Sequence, residues 1–301
     1  MKVLVTGSSG LIGSSLLPFL ISGGHSVTRL LRSPAALKST GASEIIWDFG
    51  NTSPPGFEGF DAAIHLAGEN IAEGRWSDAK KARIRESRTK PTRALSEALA
   101  KLNRPPKVLV CASAIGYYGN RGEEILREGS APGKGYLSDV CLEWEGAAVP
   151  AVQKGIRVVN LRFGVVLSAA GGALAKMLPP FRMGVGGKVG DGKQYMSWIA
   201  LDDAIGAIHH VAMNGRLMGA VNAVAPNPVT NLEFTRTLGR VLSRPTLFPV
   251  PAAAARIAFG EMADALLLAS ARVLPGLLTE TGYQFRYPEL EGALRHLLGR
   301  S

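Results

Sequence analysis

The segment Val3 to Gly13, VLVTGSSGLIG, constrains the fold most, because an apolar strand runs directly into Gly7, Gly10 and Gly13 and then into the apolar-periodic stretch Leu16, Leu17, Phe19 and Leu20. Strand, glycine turn and helix follow one another without a break. Glycine serves such a junction in three ways: it makes the tight turn, it lets backbone N–H groups approach a pyrophosphate, and it lets the helix pack close on the strand. The spacing G-x-x-G-x-x-G differs from the dinucleotide fingerprint G-x-G-x-x-G. The context therefore carries the assignment: a strand from the second residue and a helix at once after the turn favour nucleotide binding over a purely architectural turn. The expected contacts are Gly7, Ser9, Gly10, Leu11, Ile12 and Gly13.

Short apolar strands and helical stretches then alternate: Lys2 to Thr6 with a helix to Ser22, His25 to Leu31, Glu44 to Trp47, and Ala62 to Leu66 with a long helix from Ser77 to Leu102. Val108 to Ala112, a helix from Leu137 to Lys154 and a strand from Arg157 to Arg162 continue the pattern. This alternation predicts an α/β fold, a Rossmann-type doubly wound parallel sheet with helices on both faces, and ligands at the carboxyl ends of its strands.

With 46% hydrophobic and 19% charged residues, a chain of 301 residues can bury a large core, which excludes a disordered or fibrous protein. Glycines and serines interrupt the apolar start, so it reads as structure and not as a secretory leader. Arg256, Glu261, Asp264 and Arg272 break the apolar segment Ala252 to Pro275, which falls short of the roughly 20 residues of a bilayer span. Cys111 and Cys141 suit a reducing compartment, and a cytoplasmic protein with no membrane partner is expected. His65, His209 and His210 lack ligand spacing, so no metal site is expected. Much of the excess behind the net charge of +10 sits in Lys80, Lys81, Arg83, Arg85, Arg88, Lys90 and Arg93 of one predicted helix. Aromatic residues do not interleave with these cations, which argues for a solvated face with a few residues turned to an anionic ligand, and against nucleic acid.

The loop after the second strand, Leu31-Arg32-Ser33-Pro34, lacks the acidic residue that would bind an adenosine ribose 2′-hydroxyl. Arg32 stands there instead, and a planar guanidinium binds a 2′-phosphate bidentately, so NADP(H) is expected over NAD(H). Asp48 lies where a side chain reaches an adenine amino group, an ordinary loop aspartate being the alternative. After the fourth strand, the small residues of Leu66-Ala67-Gly68-Glu69-Asn70 let a ribose and pyrophosphate lie against the backbone, with Leu66, Ala67 and Gly68 in contact. Arg88 reaches back from the long helix to a phosphate or ribose, or forms a helix-surface ion pair.

Together TGSSGLIG, HLAGEN, ASAIGYYG and LRFGVVLS resemble an extended short-chain dehydrogenase/reductase of the epimerase/dehydratase type. The runs GGALAKMLPPFRMGVGGKVGDGKQYMSWIALDD, NAVAPNPVTNLEF and LPGLLTETGYQFRYPELEGAL narrow this to the "epimerase family protein" group of nucleoside-diphosphate-sugar epimerases with its own C-terminal domain, and the resemblance covers essentially the whole chain. It implies an NADP(H)-binding Rossmann domain over 1–167, with a returning segment near 197–225, and a smaller substrate lobe from 168–196 and 226–301. It also implies a catalytic Ser, a Tyr and a Lys four residues after the Tyr. Ser113 matches the first and Tyr136 the second, but Val140 stands in place of the lysine. A tyrosine titrates near 10, so it serves as a base at neutral pH only when a neighbouring cation lowers it. Tyr136 is then a general acid with another helper, a pocket residue, or packing at a helix start. Tyr117 and Tyr118, beside Gly116 and Gly119, are alternative donors.

In the lobe, Gly186 to Gln194 reads as a glycine-rich hairpin, which alone explains the glycines; the resemblance implies that this region borders the substrate, with Lys193, Gln194 and Trp198 as candidates for contact with a diphosphate, a sugar or a ring. Asp202 and Asp203 are expected to cap a helix from Ala204 to Met213, and a capped helix is expected from Leu232. Two functions follow. One is an NADP(H)-binding oxidoreductase or epimerase acting on a small polar substrate, a nucleotide-linked sugar being one candidate. The other is a catalytically weak NADP-binding sensor or regulatory protein, with Ala252 to Leu274 docking a partner or the second subunit of a homodimer.

Overall fold

Residues 1–33, 41–49 and 56–300 are described in the computed structural model of the chain. Its first part comprises β1 (Lys2–Thr6), α1 (Leu11–Ser22), β2 (Ser26–Leu31), β3 (Ser43–Ile46), β4 (Ala62–His65), α2 (Asp78–Ala100), β5 (Val108–Ala114) and β6 (Ile125–Leu126). Then come α3 (Tyr136–Gly146), α4 (Val149–Gln153), β7 (Arg157–Phe163), β8 (Val165–Leu167), α5 (Gly172–Arg182), β9 (Tyr195–Met196), β10 (Trp198–Ala200) and α6 (Leu201–Met213). The last part holds β11 (Gly219–Ala223), β12 (Val229–Thr230), α7 (Asn231–Leu242), α8 (Ala252–Phe259), β13 (Arg272–Val273), α9 (Gly276–Glu280) and α10 (Leu290–Leu297).

Seven strands pair in the order β11-β7-β5-β4-β1-β2-β3, all parallel. Period-two alternation sends Val3 and Val5 of β1 into one core with Leu16, Leu17 and Leu20 of α1, while Leu4 joins Leu95 and Leu99 of α2 in a second core on the other face. Burial on both faces explains why these strands are apolar at nearly every position. From β1 the chain runs out to β2 and β3 and returns to β4 on the opposite side of β1. That reversal opens a crevice between the carboxyl ends of β1 and β4, the place where a doubly wound sheet binds ligands.

Beyond β7 the chain builds smaller units: β8 pairs with β10, β9 with β12, and β13 reaches back to β6. Trp198, Phe234 and Leu238 pack with Leu174, Leu178, Leu290 and Leu294 in a third core. Thr230 caps α7 in a reciprocal capping box with Glu233.

Three expectations are overturned. The single helix expected from Leu137 to Lys154 is two, α3 and α4, because Gly146 lies at the end of the first and Pro150, which has no N–H, starts the second. The segment Gly186 to Gln194 forms no hairpin. It turns through Gly190 and Gly192 at φ +64° and +77°, and Val189 bridges in parallel to Val250. Asp202 and Asp203 do not cap α6, whose N-cap is Ala200. The carboxylate of fully buried Asp203 instead accepts the backbone N–H groups of Arg286 (2.8 Å) and Tyr287 (2.9 Å), and the Tyr283 hydroxyl donates to the Asp203 backbone carbonyl (2.9 Å), latching the C-terminal segment onto α6.

Removing a partner from buried N–H groups costs about 1–3 kcal/mol each, more than an ordinary hydrogen bond contributes. Asp203→Ala is therefore expected to lower unfolding stability by about 2–4 kcal/mol in urea titrations. A loss below about 0.5 kcal/mol, the range of surface substitutions, would refute the latch.

Candidate active site

The glycine turn after β1 is built by close approach. Gly7 sits at φ +67°, and a Cβ there would lie 2.5 Å from the carbonyl carbon of Leu66, at the end of β4. A Cβ on Gly13 would lie 2.2 Å from the Gly7 carbonyl oxygen, so α1 seats directly on the turn. Gly10 differs: a Cβ would meet no neighbour closer than the Gly7 oxygen at 3.4 Å, and its backbone (φ −76°, ψ 175°) is open to any residue. Nothing in the fold of the turn requires glycine at position 10. Gly10 is the N-cap of α1, no side chain caps that end, and no acidic residue lies in the first turn. The first-turn amides and the positive end of the helix dipole thus face the crevice uncompensated, which suits the phosphates of a dinucleotide.

Between α2 and the segments that follow β2, β3 and β4 lies an open cleft of about 520 Å3 whose lining includes Arg32, Asp48, Glu69, Arg83 and Lys90. Arg32 is exposed at the end of β2. Buried Arg29, three residues earlier, donates through Nε to the Ser8 hydroxyl (3.1 Å) and pairs with Glu44 at 2.8 Å, bracing the turn from within. The loop after β4 is held from α2. Arg88 donates to the Glu69 carbonyl (2.9 Å) and lies 5.1 Å from the Trp144 ring centroid, while Lys80 pairs with the Glu69 carboxylate at 2.6 Å. Arg88 forms no ion pair among the described residues; it holds the loop through the Glu69 carbonyl, with its guanidinium against Gly68.

Under that loop His65 is fully buried between Thr6, at 2.6 Å from Nδ1, and Thr92, at 2.9 Å from Nε2. Thr92 gives its proton to the Arg88 carbonyl, so its oxygen accepts from His65 Nε2 and from Trp144 Nε1. The imidazole is neutral, and burial pushes its pKa down to about 4. Burial likewise pushes the thiols of Cys111 and Cys141 up to about 12, which leaves both unreactive.

At the end of β5, Ser113 donates its proton to Glu145 Oε1 (2.7 Å). Glu145 is clamped by Arg162, Nε and Nη2 each at 2.8 Å, and Arg162 Nη1 donates to the Tyr118 hydroxyl, which donates to Asn222. The Arg162 guanidinium carbon lies 3.4 Å from the Tyr117 ring centroid. With its proton committed, Ser113 offers the crevice lone pairs alone. Tyr117 forms no hydrogen bond through its hydroxyl among the described residues. Tyr136 opens α3 and donates to the Lys81 carbonyl at 2.6 Å; burial pushes its pKa up, against the weaker pull of Arg85 and Arg88. Val140, in the lysine position, is 2% exposed and part of the interior.

Trp198 and Gln194 turn inward instead of lining a pocket. Trp198 is fully buried and donates to the Asn227 carbonyl, and Gln194 donates to the carbonyls of Val189 and Leu267. Lys193 is exposed. Two contacts close the lobe over the crevice: Lys81 pairs with Glu261 at 2.8 Å, and Lys176 donates to the Ala72 carbonyl. Among the described residues, no cluster of three or more His, Cys, Asp or Glu could hold a metal ion, and no helix is long and apolar enough to cross a membrane.

Sequence reading missed Arg29, Glu145, Arg162 and Asn222. For Arg29, Arg162 and Asn222 the available signal was a charged or amide residue inside an apolar strand, as in TRLL, NLRF and AVNA, where an unpaired polar group would be too costly to bury; Glu145, on α3, carried no such signal.

Two outcomes test this geometry. Gly10→Ala should stay folded within about 1 kcal/mol of wild type; if a dinucleotide phosphate sits against the amino end of α1, the variant should bind NADPH at least roughly tenfold more weakly by calorimetry, since the methyl would occupy that phosphate's place. Retained affinity would make the turn architectural. Between pH 6.5 and 4, unfolded His65 takes up a proton that the folded residue refuses, so stability falls with pH across that window and levels off below it. The fall should be about 3 kcal/mol smaller in His65→Gln.

Residues 3–223 match the NAD dependent epimerase/dehydratase family, and residues 250–297 match a domain of unknown function, DUF1731. Epimerase family protein Mb2239 of Mycobacterium bovis is 43% identical over 300 residues, covering 99% of this chain and 98% of that protein. The crystal structure of human epimerase family protein SDR39U1 with NADPH matches with a TM-score of 0.91 and 35% identity over 100% of both chains. A nucleoside-diphosphate sugar epimerase from Corynebacterium glutamicum matches with a TM-score of 0.79 and 37% identity, over 99% of this chain and 58% of that one. The uncapped helix at a β1–β4 crevice and these likenesses lead to one conclusion: the chain belongs to the NAD dependent epimerase/dehydratase family.

Proposed function

We propose that this protein is an NADP(H)-dependent oxidoreductase or epimerase of the extended short-chain dehydrogenase/reductase type, acting on a small polar substrate at a hydroxyl-bearing carbon. The observation that carries the reading is the bare amino end of α1, with no close neighbour over Gly10 and no acidic residue to repel phosphate. Arg32 supports a 2′-phosphate in particular, since a carboxylate there would repel it and a guanidinium attracts it. The human relative, whose structure was determined with NADPH, is consistent with that choice.

When bound, the dinucleotide supplies or accepts a hydride. The chain's own residues hold its phosphates at Ser9, Gly10, Leu11, Ile12 and Gly13, with Gly7 shaping the turn, and leave room for ribose against Leu66, Ala67 and Gly68. Ser113, an acceptor because Glu145 takes its proton, orients a substrate hydroxyl. Tyr117, with its hydroxyl unengaged among the described residues, is the group assigned to move the substrate proton. Tyr136 forms the wall between α2 and α3, its proton tied to Lys81.

That tie, with Val140 in the lysine position, favours a second reading in which the site binds NADP(H) and turns over slowly or not at all, as a sensor would. Loss of absorbance at the nicotinamide band against a panel of carbonyl compounds and sugar nucleotides separates the two, because tight NADPH binding without turnover selects the sensor. The cofactor choice has its own test. Arg32→Asp should weaken NADPH by roughly tenfold or more in calorimetry and leave NADH nearly unchanged; equal losses for both would remove Arg32 from phosphate recognition.

A further inference from the structure

Large apolar side chains that stand in water singly are ordinary, but a continuous patch of them marks a contact surface. Such a patch forms where the loop after α5 meets the segment between α7 and α8. Arg244 Nε donates to the Arg182 carbonyl (2.9 Å), Val250 donates its N–H to the Lys188 carbonyl (2.8 Å), and the Val250 carbonyl accepts the Gly190 N–H (2.9 Å). A Cβ on Gly187 would lie 2.0 Å from the Phe248 carbonyl oxygen. The two segments therefore run side by side, and both leave apolar side chains outside: Met183 and Val185 on the first, Leu247, Phe248 and Val250 on the second. Met183, Leu247 and Phe248 are 70%, 78% and 58% exposed, so most of each lies in water. α8 follows at once, buries Ala255 alone of its eight residues, and extends the apolar surface with exposed Ile257.

The surroundings of the patch are cationic. No acidic residue occurs from 146 to 190 or from 234 to 260. Exposed Arg182 and Arg244 and half-buried Lys188 flank the apolar side chains and form no ion pair among the described residues. Arg244 donates to the carbonyls of Arg182 and Ser243, and Lys188 to that of Asp191. The carboxylates that follow in the chain are committed, Asp191 to the Lys193 N–H, Glu261 to Lys81 and Asp264 to Arg256.

This charge selects the occupant. A symmetric pair of copies would bring two cationic rims together, which opposes self-association through this face. An added β-strand is blocked too, since Pro249 and Pro251 carry no N–H and that of Val250 is already given to Lys188. A surface that is apolar within and anionic at its boundary matches the patch, and the interface of a bilayer carrying anionic lipid is such a surface. We infer that this face docks on an anionic membrane surface, with Met183, Val185, Leu247 and Phe248 at the boundary of head groups and acyl chains and Arg182, Arg244 and Lys188 at the lipid phosphates. The protein then lies on a bilayer without spanning one. The inference is independent of the cofactor reading.

Co-sedimentation of the full chain with phosphatidylcholine vesicles, with and without about 30% phosphatidylserine, tests this. Wild type should bind the anionic vesicles at least roughly tenfold more tightly than the neutral ones, and high salt should weaken that binding. The double variant Leu247→Ser, Phe248→Ser keeps every charge and should bind the anionic vesicles at least roughly tenfold more weakly. Arg182→Gln with Arg244→Gln should lose roughly tenfold on anionic vesicles and little on neutral ones. The substituted side chains are exposed, so thermal unfolding should match wild type; if the apolar double variant fails that check, Leu247→Ser alone decides. No binding of wild type to anionic vesicles would overturn the inference. Undiminished binding by the folded serine variant would overturn it as well, since only the attraction of a basic protein would then be left. A wild-type dimer in analytical ultracentrifugation that the same variant turns into monomer, in place of vesicle binding, would assign the face to a second copy.

Discussion

The rest of the structure depends on the contact between the glycine turn and the end of β4. Gly7 approaches Leu66 so closely that no side chain fits between them, and Gly13 does the same against Gly7. These two approaches fix where α1 starts and where its dipole points. The β1–β4 crevice is therefore as narrow as backbone atoms permit, and its charge comes from oriented peptide groups that need no rearrangement to meet an anion. Gly10 stands apart because a side chain there would meet only an ordinary contact with the Gly7 carbonyl oxygen.

How much was legible in the sequence follows from how local each determinant is. Parallel strands buried on both faces must be apolar at consecutive positions, so β1, β4 and β5 were readable, and so was the glycine turn between β1 and α1. The placement of Arg32 at the end of β2 was readable because the position after that strand is fixed by chain order. The break between α3 and α4 needed more weight on Gly146 and Pro150 than the apolar run around them allowed. Asp203 has the spacing of an N-terminal capping residue, yet its partners lie 83 and 84 residues further on, and no local rule finds them. Trp198 stood as a candidate for substrate contact because the family resemblance puts its region beside the substrate; the third core claimed it instead.

The network Ser113–Glu145–Arg162–Tyr118–Asn222 has the same character. Its links span 17 residues between Arg162 and Glu145 and 104 between Tyr118 and Asn222. Burying a guanidinium and a carboxylate is costly, and the cost is offset only when every donor and acceptor is met. Here Arg162 bonds Glu145 twice and also reaches the Tyr118 hydroxyl and the Glu128 carbonyl. Glu128 in turn accepts N–H groups from β11 and α9. The serine at the crevice and the C-terminal segment are thus parts of one polar lattice, and the hydrogen-bonding polarity of Ser113 is fixed by groups far away in the chain.

The Lys81–Glu261 pair joins α2 to the turn after α8 with both side chains partly in water, 26% and 49% exposed. Such a pair contributes at most about 1 kcal/mol and is screened by salt. The mouth above the crevice is therefore fastened by a weak clasp, in contrast to the saturated lattice beneath it. Together with the exposed Lys176 contact to the Ala72 carbonyl, this lets thermal motion part the two sides without disturbing the rigid floor, which would give a large dinucleotide a way in and out while the groups proposed to grip it stay in place.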